Sequence, residues 1–401
     1  MIIGLIKEGK TPSDTRVALT PTQCKYLTDL HGIKFIVEPC PSRCYNDAEY
    51  REQGCTLSDK LDSCDYLLGI KEVPIKQLIA NKTYFFFSHT IKKQPFNRKL
   101  LQAALDKKIR LIDWETLTDD KGDRLIAFGR WAGIVGAHNG IMTLGERLGS
   151  FKLSQMIQFK DFSAAKTAYA ILQLPAVKIV LTGTGRVANG AAEVLDAMRV
   201  VRVSATDFLN KTYTTAVYTQ LGSADYARRA DGKPYDRADF HANPTQYETA
   251  FLPYTKVAEV MMNGIFWKKG APAFFTAADM KKADFKIRTI ADITCDIAPE
   301  SSVPSTLDAS TIAKPIFGYD IDKQKITKPF KPNVVDVMSI DNLPNELPRD
   351  ASEAFGNQFI NNVLFDIQMG NTEAVDRATI VNNGVLQPRY EYLTDYVYDK
   401  V

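Results

Sequence analysis

The sequence has no apolar run that approaches the roughly 18 residues of a membrane-spanning helix, which excludes a helical membrane protein. Cysteine is thin: Cys24, Cys40, Cys44, Cys55, Cys64 and Cys295 are spread over 401 residues. They form no paired CxxC set, even with His31 near Cys40 and Cys44, so neither a disulfide framework nor a zinc site is expected. Neither sign of charge prevails, since 50 basic and 47 acidic side chains leave a formal net charge of +3. No long-range field therefore points to nucleic acid or a membrane surface as a partner. The apolar start Met1–Ile6 stops at Lys7, Glu8 and Lys10, too soon for a signal-peptide core, and the expectation is a cytoplasmic protein with reduced thiols. There is no internal repeat and no low-complexity segment.

What is present is the balance of a globular chain, 45% hydrophobic and 24% charged. At about 150 residues per domain the length allows two or three domains. Strand and helix signals alternate from the start. MIIGLI reads as a strand, PTQCKYLTDLHG as a helix closed by Gly32, and KFIVEP as the next strand. DYLLGIK, TYFFFSH and RLIDWE are further short apolar runs, with LIANK and NRKLLQAALDKK as helical pieces between them. Short apolar runs separated by helices are the mark of a parallel sheet covered on both faces.

Helical spacing over Trp131–Leu174 then predicts one or two connecting helices. AVKIVLTGTGRVANGAAEVLDAM opens a second α/β unit in which Gly183, Gly185 and Ala188 fit GxGxxA between a strand and a helix. Gly183 permits the tight turn, Gly185 the approach of a pyrophosphate, and Ala188 close helix–strand packing. A strand VVRVSAT is expected to run up to Asp207, at a spacing that suits an acid on adenosine ribose hydroxyls. The polar stretch from Lys211 to about Tyr254 reads as an excursion within this unit, after which AEVMMNGIFW and TIADITCDI resume strands. A helical tail from about Asn342 is expected to return to the first unit.

Ligands of parallel sheets gather at the carboxyl ends of strands. Lys71 and Glu72 follow one apolar run, His89 another and Glu115 a third, while Arg16 lies in the loop after the first strand and Arg124 precedes LIAFG. A lysine or histidine at a desolvated rim can titrate near neutrality, and arginine's fork suits a carboxylate.

EGKTPSDTRVALTP, GIKEVP and GTGRVANG resemble the superfamily of alanine dehydrogenase, nicotinamide nucleotide transhydrogenase and saccharopine dehydrogenase. YFFFSHTIKKQ, RLIDWETLTDDKGDRLIAFGRWAG, YETAFLPYTKVAEVMMNGIFW and SIDNLPNELPRDASEAFG are similar to lysine-forming saccharopine dehydrogenases, and more so to the lysine–ketoglutarate reductase half of aminoadipic semialdehyde synthase. The resemblance implies two Rossmann-like α/β domains with parallel sheets and a cleft between them: residues 1–135 plus 342–401 for substrate and catalysis, and 136–341 for the dinucleotide. It implies reversible conversion of saccharopine to L-lysine and 2-oxoglutarate, with NAD or NADP as cofactor.

Position by position, it makes Lys71 and His89 the acid–base pair and puts Arg16, Gln94, Arg124 and Phe128 at the substrate. It puts Gly183, Gly185, Arg186, Asp207, Ile265, Thr294, Cys295, Asp296 and Ile297 at the nucleotide. Asp207 would favour NAD by repelling a 2′-phosphate. Departures are Asp123, where some members have a second arginine, and the segment DIAPESSVPST. The alternatives are another amino-acid or opine dehydrogenase, and a non-catalytic nucleotide-binding protein.

Overall fold

A computed structural model describes residues 1–398. The chain forms two compact units, one made of Met1–Phe128 with the segment from Pro348 onward, the other of Gly129–Leu347. Both are α/β units of Rossmann-like type.

In the first unit, β1 (Ile2–Leu5), β2 (Lys34–Val37), β3 (Thr56–Leu57), β4 (Tyr66–Leu68), β5 (Thr83–Phe86) and β6 (Arg110–Asp113) pair in parallel. The helix Pro21–His31 begins at a Thr20–Gln23 capping box and ends at Gly32, whose φ of 63° closes it. LIANK, in contrast, forms no helix, since a run of five residues (78–82) before a strand is too short to nucleate one. A single 3₁₀ turn, Ile75–Gln77, precedes it, and Asn81 turns the chain with φ 61°.

After the second unit the chain returns with β17 (Thr379–Asn382) and β18 (Val385–Leu386), joined through Asn383 and Gly384 at φ 48° and 81°. Two positive φ values suit an Asn-Gly hairpin turn. β17 is antiparallel to both β6 and β18, so the sheet is mixed, in the order β18-β17-β6-β5-β4-β1-β2-β3. The aromatic run of β5 is buried on both faces. Phe85 packs with Trp114 and Phe359 on one side, while Tyr84 and Phe86 join Leu67 and Leu101 on the other.

The second unit carries β7 (Lys178–Thr182), β8 (Val201–Arg202), β9 (Val217–Leu221), a ribbon of β10 (Ala227–Arg229) and β11 (Tyr247–Thr249), then β12 (Val260–Asn263) and β13 (Thr289–Asp292). β14 (Ile316–Asp320), β15 (Lys325–Thr327) and β16 (Val334–Met338) complete it. Its main sheet runs β15-β14-β16-β13-β12-β7-β9-β8, with β14 antiparallel to both neighbours.

Two expectations fail here. VVRVSAT forms strand only over Val201–Arg202, because Ser204 caps a helix at Ala205–Asn210. The polar stretch expected as an excursion contains β9, which lies directly beside β7. Thr219 and Gln220 dilute its apolar pattern, although Val217, Tyr218 and Leu221 are buried.

The helix Gly129–Leu148 packs on the helix Arg186–Ala197 at backbone contact. A Cβ on Gly133 would stand 1.8 Å from the Val187 carbonyl oxygen, and one on Gly190 would stand 2.1 Å from that of Arg130.

Candidate active site

In the first unit, a charged cluster collects at the carboxyl ends of β1, β4 and β5. The turn after β4 is fixed by Glu8, whose carboxyl accepts the backbone N–H groups of Ile70 (2.6 Å) and Lys71 (2.8 Å). Burial, reinforced by Asp14, pushes Glu8 up to about 8. Lys71 is lowered from the usual lysine range, first by burial and then by the Arg16 charge.

His89 follows β5 with φ 52°, and its neighbours impose that conformation. The Ser88 N–H donates to Asp113 Oδ2 at 2.8 Å, the Ser88 hydroxyl donates to the same oxygen, and Ser88 and Thr90 hydroxyls bond at 2.8 Å. The imidazole lies parallel to Phe87, and its Nδ1 is 2.6 Å from Glu72 Oε1. Glu72 also pairs with Lys10 Nζ at 3.2 Å. Burial alone would raise Glu72, but the His89 hydrogen bond and charge outweigh it and hold the carboxyl down at about 2. An ionised carboxylate can only accept, so Nδ1 carries the proton and Nε2 is the nitrogen available for proton transfer.

Arg16 is buried and forked onto Asp14, with Nε–Oδ1 of 3.0 Å and Nη2–Oδ2 of 2.6 Å, and its guanidinium lies 4.1 Å over the Phe128 ring. Phe128 is itself stacked on Phe355. Arg124 pairs with Glu115, which Lys92 approaches at 3.5 Å. Burial opposes ionisation of Glu115, yet the Lys92 and Arg124 charges keep it below the carboxylate range. Gln94 stands on the exposed loop beyond His89, its carbonyl accepting the Tyr396 hydroxyl. The structure thus gathers Arg16, Phe128, Lys71 and His89 with Glu8, Asp14, Glu72 and Asp113. Of these acids only Glu72 was marked by the sequence pattern, because a single carboxylate in a loop carries no periodic signal.

In the second unit, the three loops named from the sequence follow adjacent strands. Gly183 ends β7 with φ 102°, and a Cβ there would meet the Gly264 carbonyl oxygen at 2.7 Å. A Cβ on Gly185 would meet nothing within 4 Å, so the turn is open at that point. Gly185 begins the helix Arg186–Ala197 without a side-chain cap, which leaves amides for an anion. Tight backbone on one side and open space on the other fit a pyrophosphate.

Ile265 follows β12 after Gly264, and Thr294–Ile297 follow β13. Their stems are tied by a buried row at the strand ends. The Thr182 hydroxyl donates to Asn263 Oδ1 (2.9 Å), Asn263 Nδ2 to Asp292 Oδ1 (2.9 Å), and the Thr306 hydroxyl to Asp292 Oδ2 (2.6 Å). Thr294 donates to Asp292 at 2.7 Å, and its hydroxyl accepts the Asp296 N–H. Cys295, with φ 54°, directs its thiol to the Ser339 carbonyl oxygen at 3.1 Å. Burial pushes that thiol up to about 12.

Asp207 follows β8, a strand separated from β7 by β9. It lies in the first turn of the helix Ala205–Asn210 and pairs with Lys211 at 3.0 Å.

Residues 4–135 match the family described as alanine dehydrogenase/PNT, N-terminal domain. Over 98% of its length the chain is 30% identical to alpha-aminoadipic semialdehyde synthase, mitochondrial, of Mus musculus, covering 47% of that protein. It thus spans about half the length of the first such relatives. It is 26% identical to saccharopine dehydrogenase [NAD(+), L-lysine-forming] of Yarrowia lipolytica, over 88% of this chain and 89% of that one. Among solved structures, an L-alanine dehydrogenase aligns with a TM-score of 0.65 at 16% identity, over 99% of this chain and all of that one, a likeness of fold. Residues 4–135 thus carry an alanine dehydrogenase/PNT amino-terminal domain, and the chain along nearly its whole length is similar to aminoadipic semialdehyde synthases and to lysine-forming saccharopine dehydrogenases.

Proposed function

We propose that this chain is a nicotinamide-dependent oxidoreductase of C–N bonds that interconverts saccharopine with L-lysine and 2-oxoglutarate. The observation that carries the reading is the pairing of a lysine lowered by burial, Lys71, with a histidine whose tautomer is fixed by Glu72, both set among cations. Lys10, Arg16, Lys71, Lys92 and Arg124 set cations at this strand end, which suits a substrate with several carboxylates.

In the reductive direction, lysine's ε-amine attacks the keto carbon of 2-oxoglutarate. The carbinolamine loses water to give an imine, and reduction gives the secondary amine. A nicotinamide supplies the hydride when bound. Lys71 Nζ and His89 Nε2 take the proton from the attacking ammonium and return one to the departing hydroxyl. The Arg16 fork, flat against Phe128, holds a carboxylate in one plane. The glycine turn with its uncapped helix supports a pyrophosphate in the second unit.

Reduced NAD and reduced NADP should each be assayed with lysine plus 2-oxoglutarate, and with pyruvate plus ammonia. Oxidation is expected with the first pair at least a hundredfold faster than with the second. Turnover with pyruvate and ammonia alone would replace this reading by that of an alanine dehydrogenase, and no turnover with either would remove it.

A further inference from the structure

The acid that reads the adenosine ribose must stand at the carboxyl end of the strand beside the one that carries the glycine turn. Sequence spacing picks Asp207, but the sheet picks a different neighbour. β9, not β8, is hydrogen-bonded to β7, with Lys178 opposite Val217 and Thr182 opposite Leu221. β8 lies outside β9, and its two residues, Val201 and Arg202, stand level with Lys178 and Ile179 at the amino end. The chain therefore leaves β8 three residues short of Thr182, about 10 Å at 3.3 Å per residue.

The helix bearing Asp207 then leans towards the amino end, where Lys178 Nζ, on the first residue of β7, donates to the carbonyls of Phe208 and Lys211. Asp207 itself pairs with Lys211.

The end of β9 meets the glycine turn directly. Leu221 O accepts the Gly183 N–H at 2.8 Å, and Gln220 Nε2 donates to Gly183 O at 3.0 Å and to Asn189 Oδ1 at 3.1 Å. Beyond it Asp225 folds back so that Oδ2 accepts the Gly222 N–H at 2.8 Å. A Cβ on Gly222 would lie 3.6 Å from that oxygen and 3.7 Å from Thr184 Cγ2, inside the glycine turn. Asp225 is solvent-exposed and is the acid this strand end offers to a dinucleotide.

We propose that Asp225, not Asp207, is the residue that binds the adenosine ribose hydroxyls and selects a nucleotide without a 2′-phosphate. Oδ2 is engaged with Gly222, and Oδ1 is the oxygen presented to the ribose. The inference rests on the nicotinamide-dependent reading but not on the identity of the amine substrate.

The test is nucleotide binding by the full chain, with dissociation constants for NADH and NADPH from titration calorimetry and no amine present. The wild type should bind NADH more tightly. Asp225→Asn keeps an oxygen for the Gly222 N–H while removing the charge, so it should weaken NADH on the order of tenfold to a hundredfold and tighten NADPH. Asp207→Asn should alter neither. Asp225→Ser, checked for an unchanged melting temperature, guards against a local effect of the amide and should narrow the same ratio. An unchanged NADH-to-NADPH ratio in both Asp225 variants, a ratio that moves with Asp207→Asn, or a wild-type preference for NADPH overturns the assignment. A wild type that binds neither nucleotide overturns the nicotinamide reading itself.

Discussion

Lys71 and His89 sit at the ends of neighbouring strands, yet they are prepared in different ways. Burial and the Arg16 charge lower the lysine, whereas the histidine is oriented by Glu72 and by the preceding Ser88, which Asp113 holds through both its N–H and its hydroxyl. Replacing the groups one at a time separates these contributions. Lys71→Met and His89→Gln should each reduce turnover by about 10²–10⁴-fold, with the nucleotide dissociation constant nearly unchanged and one limb missing from the pH profile. A lower melting temperature with full turnover per folded molecule would instead make His89 a packing residue. At this scale the sequence was legible where an ionisable residue ended an apolar run, as at Lys71, Glu72 and His89. It was silent on Glu8, Asp14 and Asp113. Their importance comes from what the fold brings to them: two backbone amides, a guanidinium and a serine.

Among the elements, long or strongly patterned ones were readable and short ones were not. β5, β7 and the helix Gly129–Leu148 stand where their patterns placed them, but β9 was hidden by Thr219 and Gln220. In the sequence β8 is the next strand signal after β7, whereas in the sheet β9 stands between them. Packing between helices gives a sharper test. Gly133→Ala would gain roughly 1 kcal/mol of helix propensity. The new Cβ, however, would meet the rigid Val187 carbonyl oxygen at 1.8 Å, so the helices must part. Overpacking should win, with a net loss of about 1–3 kcal/mol in urea unfolding and weaker nucleotide binding through the displaced helix Arg186–Ala197. Unchanged stability would mean that the two helices do not approach each other this closely.

For the molecule as a whole, each unit buries a carboxyl that prefers its proton. Burial raises Glu346 to about 7 in the second unit and Glu8 to about 8 in the first. Glu346 accepts from Asn139 Nδ2 (2.9 Å), Gln155 Nε2 (3.1 Å) and the Ile157 N–H (3.0 Å), which temper but do not cancel the burial. A folded-state value above the unfolded one means that the folded state binds the extra proton. The associated stability is complete below about pH 4.5 and is lost as pH rises through about 7. The unfolding free energy of the second unit, from urea titration, should therefore fall between pH 5 and 8 by on the order of 2–3 kcal/mol from this group. Glu346→Gln should flatten that slope, although it costs one acceptor, and an equally steep slope in the variant would show that Glu346 does not titrate there.

The first unit is assembled from the two extremities of the chain, and this sets an order on its birth. β6 reaches the ribosome's exit long before β17, the strand that covers its outer edge. With more than 200 residues of the second unit still to be made, synthesis at 5–20 residues per second leaves that edge bare for some tens of seconds or less. The second unit, continuous in sequence, can close in the interval. Until then the nascent amino-terminal sheet, with Leu111 and Ile112 on its open edge strand, has an edge that can pair with another chain.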